Sequence, residues 1–232
     1  MSQTGKKLLA VFRSSIGRKL LTGVTGLALV VFLLEHLYSN LLYFSTDPDA
    51  YNENAHFLIS LDLVYVLELG LLTFFVVHII VGVSIYLRKR KARPDGYAKY
   101  QSAGKPSRQS ISSRTMIVTG LVLLAFLVVH IISFKYGPGI EEGYVATIDG
   151  EPVRDLKRLL EEKFQHPAYA FGYPFVMILL GFHLRHGIWS AFQSLGAMNP
   201  RLTPVVYTLG GVLAVLIAVG FLVLPLWIFF ST

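Results

Sequence analysis

Seven histidines and no cysteines set the chemistry open to this 232-residue chain. Without thiolates it can hold no disulfide, no Cys-ligated zinc or iron–sulfur cluster, and no group attached through a C-x-x-C-H motif. Imidazole remains. It ligates metals when neutral and moves protons near neutral pH. His56 and His166 fall in polar stretches, whereas His36, His78, His130, His183 and His186 lie inside long apolar runs. A polar ring within a bilayer is costly and usually functional. A lone histidine of this kind most often bonds a neighbouring helix. One or more in each of four runs calls for a shared task.

The runs that must position these rings cover roughly 20–44, 62–87, 115–135, 170–195 and 203–230. Each reaches the ~20 residues that cross a hydrocarbon core. Hydrophobic residues make up 53% of the chain and charged ones only 15%, against about 25% charged in soluble domains. The expected fold is therefore an all-α, integral-membrane five-helix bundle. No small-residue cleavage site follows the first run, so it reads as a span and not as a signal peptide.

The net charge of +7 reflects topology before nucleic acid. Lys6, Lys7, Arg13, Arg18 and Lys19 precede the first run, and nine Lys and Arg between Arg88 and Arg114 separate the second from the third. The first connection holds only Asp47, Asp49 and Glu53, and the third carries seven acids. The positive-inside rule then sets the N-terminus inside and the C-terminus outside, with a cytoplasmic membrane as the expected location. Val153, Leu156, Leu159, Leu160 and Phe164 recur at helical spacing in the third connection. They predict an amphipathic helix on the outer membrane surface.

Depth then sorts the histidines. His36 and His130 lie late in runs that lead outward, which forms an outer pair. His78 and His186 lie in the inner halves of runs that lead inward, which forms an inner pair. His183 sits one turn deeper than His186 and reads as a partner for a propionate or a helix. Two imidazoles facing each other at one depth are what bis-histidine ligation of an iron porphyrin requires. Two such levels predict two stacked haems b, with His36, His78, His130 and His186 as iron ligands. A short repeat supports this. Thr25-Gly26 precedes His36 by ten residues, counted from the glycine, and Thr119-Gly120 precedes His130 likewise. Ten helical residues rise ~15 Å, so Gly26 and Gly120 fall at the level of the other haem. Lacking a Cβ, they would let a flat macrocycle approach the backbone.

The stretch Ser14-Ser15-Ile16-Gly17-Arg18-Lys19, continuing through Thr25-Gly26-Leu27 to Glu35-His36, resembles the start of the di-haem cytochrome b subunit of type-B succinate:quinone oxidoreductases. So does His183-Leu184-Arg185-His186-Gly187-Ile188-Trp189-Ser190-Ala191-Phe192-Gln193 in the fourth run. The likeness covers nearly the whole chain, as one transmembrane cytochrome b domain over 1–232. Carried over, the family's axial ligands fall on His36, His78, His130 and His186. The resemblance implies a flavoprotein partner with covalent FAD, an iron–sulfur partner, and electron transfer through the haems to a quinone, expected to be menaquinone. It also covers fumarate reductases, which run the reverse reaction.

Secondary sites follow. Ser15, Arg18 and Arg114 are candidate propionate partners for the inner haem, and Lys163 and His166 for the outer. The basic 88–114 loop is the expected dock for the iron–sulfur subunit. The resemblance places quinone near the outer haem, where Glu35, Asn40, Glu53 and His56 are polar, with Glu68 deeper. Glu53 is the first choice for the proton-handling carboxylate. Two other readings stay open: a di-haem cytochrome of another quinone-linked dehydrogenase, and a haem-free proton-coupled transporter.

Overall fold

The computed structural model describes residues 14–92 and 111–231. Helix α1 spans Ser15–Leu41 and begins where the Ser14 hydroxyl accepts the Gly17 amide at 3.0 Å, an N-cap that satisfies one orphan donor. A 3-10 turn, Leu42–Phe44, extends it. A short helix, α2 (Ala50–Ser60), lies beyond. Helix α3 (Val64–Ala92) ends on Lys89, Arg90 and Lys91, cations that suit the negative end of the helix dipole. A single turn, α4 (Ile111–Arg114), leads into α5 (Met116–His130), which continues as a π-helical turn, Ile131–Lys135. Strands β1 (Val145–Ile148) and β2 (Glu151–Arg154) then pair antiparallel. Asp149 and Gly150 between them both have positive φ, 51° and 84°, the tight-turn geometry that Asp-Gly favours. Helix α6 (Leu156–Gln165) starts at Asp155, whose carboxylate accepts the Arg158 amide. Helix α7 (Pro167–Ser194) begins with proline, which suits a first turn, and α8 (Leu202–Ser231) ends the bundle.

Among the described residues five helices are long and apolar enough to cross a membrane: Ser15–Phe44, Val64–Ala92, Met116–Lys135, Pro167–Ser194 and Leu202–Ser231. They mark a multi-pass membrane protein, and each expected run falls on one of them. Leu67, Leu69 and Leu72 on α3 are all more than half exposed, as a lipid-facing surface would be. Helices α1 and α5 run from the basic end, at Ser15 and Ala92, toward the opposite end, which the hairpin and α6 cap. Helices α3 and α7 run back.

Close packing centres on α7 and α8. Ala214 and Ile217 of α8 are fully buried, and Leu184 and Ile188 of α7 nearly so. Small residues let the two backbones approach: a Cβ on Gly210 would come within 2.9 Å of Ile188 Cγ2. Gly210→Val should therefore part the helices, at a cost of about 1–3 kcal/mol for an overpacked site. A lower thermal midpoint of the detergent-solubilised protein would register it.

Two features of the third connection differ from expectation. Val153 belongs to a strand and not to the amphipathic helix, because the Asp149-Gly150 turn folds the chain back on itself. Helix α6 does not lay its apolar face on a membrane surface. Leu159, Leu160 and Phe164 are 1%, 4% and 3% exposed, and Leu160 and Phe164 pack with Tyr51, Tyr173, Leu224 and Ile228. The exposed ends of the spans offered this face a protein surface to bury against. Asn52 locks the cap in place: its amide donates to Asp155 Oδ1 at 2.9 Å and its carbonyl accepts the Lys157 amide at 3.0 Å.

Candidate functional site

The in-span histidines meet across helices at two levels. Toward the capped end, His36 of α1 and His130 of α5 stand with ring centres 5.7 Å apart and planes at 85°. Phe32 stacks on His36, Phe126 stacks on His130, and Phe221 and Phe134 close the sides. The Tyr173 hydroxyl lies 3.4 Å from His130 Nδ1.

Toward the basic end, the ring facing His78 of α3 belongs to His183. Their centres are 6.3 Å apart. His186 lies one turn nearer the basic end, against Trp189. The sequence reading pairs His78 with His186; in the structure the ring turned to His78 is that of His183. Helix α3 runs on to Ala92, past the end of the 62–87 run read from the sequence, so His78 lies farther from the end of its helix than that run implies. It is fourteen residues from the end of its helix, with His183 eleven and His186 eight from the end of theirs.

Thr25 and Gly26 lie beside His78, and Thr119 and Gly120 beside His183. Thr25 Oγ1 is 3.3 Å from His78 Nδ1, and Thr119 Oγ1 is 3.1 Å from His183 Nδ1. A Cβ on Gly26 would sit 3.2 Å from His78 Cε1, and one on Gly120 would sit 3.4 Å from His183 Cε1. The glycines thus lie at the inner level as expected, but their near neighbours are imidazole edges. The hydroxyls were missed in the sequence. The repeated Thr-Gly was the available signal, read there for its glycine alone.

This donor set fits iron porphyrin. Metal–nitrogen bonds of about 2 Å on either side of one metal place the centres of two imidazoles about 6 Å apart, close to both observed separations. Among the described residues no three His, Asp or Glu side chains gather; the four rings stand as two facing pairs. Thr22 Oγ1 and Trp189 Nε1 are buried without a protein hydrogen-bond partner. Both lie basic-ward of the inner pair along their helices, where a guest's polar edge could engage them.

The remaining candidates are dispersed. Ser15 and Arg114 are exposed and Arg18 is half-buried, all near the basic end. Lys163 stands over the Tyr169 ring, and His166 caps α7 by accepting the Ala168 amide. Glu53 and His56 are exposed on α2. Glu35 accepts from Ser39, which in turn accepts from Asn54, and Asn40 donates to the His36 carbonyl. Glu68 lies within α3 and pairs with Lys135 of the π-turn. It precedes His78 by ten residues, the same ~15 Å that separates Gly26 from His36, so its backbone stands level with the His36/His130 pair. Most of the 88–114 loop proposed as a dock, with Lys6, Lys7 and Arg13, lies outside the described residues.

The His130 helix is held at its capped end by Arg154. Its Nη2 donates to the Phe134 and Gly137 carbonyls at 2.8 and 3.0 Å, and its Nε to the Pro138 carbonyl at 2.9 Å. The Phe134 carbonyl is an orphan acceptor of the helix end, and those of Gly137 and Pro138 follow in the loop beyond it. Arg154→Ala should release them, each charge-assisted bond contributing about 1.5–3 kcal/mol. Amide exchange over 131–138 should accelerate while the α7–α8 core stays protected.

Comparison of the chain with protein-family models, with curated proteins and with solved structures finds no match.

Proposed function

We propose that this chain is the membrane anchor and electron-transfer subunit of a succinate:quinone oxidoreductase, with two haems b. One observation carries the reading: four imidazoles from four spans form two facing pairs, His36/His130 and His78/His183, about ten helical residues apart in depth. The residue motifs around His36 and His183 resemble those of the di-haem cytochrome b family and support the same conclusion. On geometry, His183 takes the inner-ligand role that the sequence reading gave to His186.

Bound haem would supply reversible one-electron transfer between the two levels. The chain's own residues do the rest. The four imidazoles hold and orient the two groups, and Phe32, Phe126 and Phe134 keep water from the His36/His130 pair. Trp189, Thr22 and Arg18 are placed to engage propionates at the basic end. Electrons would enter there from the iron–sulfur subunit, itself fed by the FAD-bearing flavoprotein. They would leave at the His36/His130 level to a quinone, menaquinone by the resemblance. Glu68 is favoured over Glu53 for exchanging protons with quinone, because it lies in a span at that level. The basic flanks put this entry end at the cytoplasmic face. The chain holds no succinate chemistry of its own.

Affinity purification of the tagged chain from native membranes tests the proposal. A covalent flavoprotein and an iron–sulfur protein should accompany it, and the complex should reduce quinone with succinate. A different dehydrogenase in the preparation would overturn the assignment while leaving the haem pairs intact.

A further inference from the structure

We propose that Thr25-Gly26 and Thr119-Gly120 are two copies of one imidazole seat, which fixes His78 and His183 as their Nδ1–H tautomers and leaves each Nε2 free to ligate iron. The inference deepens the haem reading and rests on it.

The argument is a count of hydrogens. Thr25 Oγ1 lies 2.7 Å from the Leu21 carbonyl oxygen, the separation of an O–H···O bond. A hydroxyl has one hydrogen to give and two lone pairs to receive. With that hydrogen committed to Leu21, the contact at 3.3 Å to His78 Nδ1 is a bond only if Nδ1 carries the proton. Thr119 repeats the pattern. Its Oγ1 is 3.1 Å from the Thr115 and Met116 carbonyl oxygens and 3.1 Å from His183 Nδ1. Both carbonyls can only accept, so once the hydroxyl gives its hydrogen to either of them the contact to Nδ1 is a bond only with the proton on the imidazole. A neutral imidazole protonated at Nδ1 keeps its lone pair on Nε2.

The glycines complete the seat. A Cβ on Gly26 would press on the Cε1 edge of the His78 ring at 3.2 Å, and one on Gly120 would touch that of His183 at 3.4 Å. Each imidazole thus rests its Nδ1–Cε1 edge on the backbone of the opposing helix. The placement explains the sequence repeat. Helices α1 and α5 each carry a ligand of one level and, ten residues earlier, the seat for a ligand of the other. His186, one turn away, has no such seat.

Metal-bound histidines gain basicity when the second nitrogen donates a hydrogen bond, and loss of that partner typically costs 10–100-fold in metal affinity. The purified complex with Thr25→Val or Thr119→Val, each keeping side-chain size, tests the seat. Redox titration should show the inner haem's midpoint raised, because a less basic ligand favours ferric iron less. A tenfold change in that preference is about 59 mV for one electron. The outer haem should hold its value, and Thr25→Ser or Thr119→Ser should restore the inner one. Loss of the inner haem alone in a valine variant supports the seat equally. An unchanged inner midpoint in both valine variants, or serine variants that behave like valine, overturns it. Should a valine variant not assemble, nitrogen-15 spectra of histidine-labelled wild-type complex in the diamagnetic ferrous state decide. Protonated Nδ1 on His78 and His183 supports the seat, and bare Nδ1 overturns it. A complex that contains no haem refutes the proposed function instead, and the same spectra still read the two tautomers.

Discussion

Replacing His183 with alanine should strip the complex of the haem nearer the basic end, while His186→Ala should leave both haems in place. The expectation turns on one helical turn. His183 faces His78 with ring centres 6.3 Å apart and sets its Nδ1 3.1 Å from the Thr119 hydroxyl oxygen, whereas His186 turns to Trp189. His78→Ala should match His183→Ala, since either change removes half of one ligand pair. His36→Ala and His130→Ala should instead remove the other haem. The readout is the reduced-minus-oxidised spectrum of each purified variant, where one of two b-type components disappears. Retention of both components in His183→Ala, with loss of one in His186→Ala, would return the inner ligand to His186.

The second large effect is expected at Glu68. Glu68→Gln should lower succinate:quinone turnover by about 10²–10⁴-fold, the usual contribution of a positioned acid or base. Both haems and the reduction of an artificial dye by succinate should persist. Glu53→Gln should change little, because Glu53 lies on α2, outside the spans. Glu68 lies within α3, held by Lys135 five residues past His130. Lys135→Met should impair quinone turnover too, by leaving a carboxylate without its counter-charge at the membrane edge. Normal turnover in Glu68→Gln, with loss in Glu53→Gln, would restore the carboxylate first chosen from the sequence.

The five spans were legible because twenty apolar residues in a row have few other uses, and the structure places a helix on each. The facing of His36 and His130 was legible too, since both lie late in spans that run the same way. The partner of His78 was not. Depth counted from loop charges carries an error of a turn, and His183 and His186 differ by one turn on similar faces. Ring orientation decides between them, and it depends on the Thr119 hydroxyl, a partner 64 residues away in sequence. The hairpin was missed because its strands are four residues each, too short for an alternating pattern to emerge. Its turn signal, Asp149-Gly150, was present in the sequence. The destination of α6 was also hidden: an amphipathic face states that something apolar covers it, and both lipid and the bundle end qualify.

The central claim is that this chain holds two haems b in facing histidine pairs. Haem content per chain, measured as the pyridine haemochrome of the purified complex, tests it most directly, with succinate then added as reductant. The account predicts about two haems b per chain, both reduced by succinate. One haem or none per chain, or a preparation without a Soret band, would contradict it.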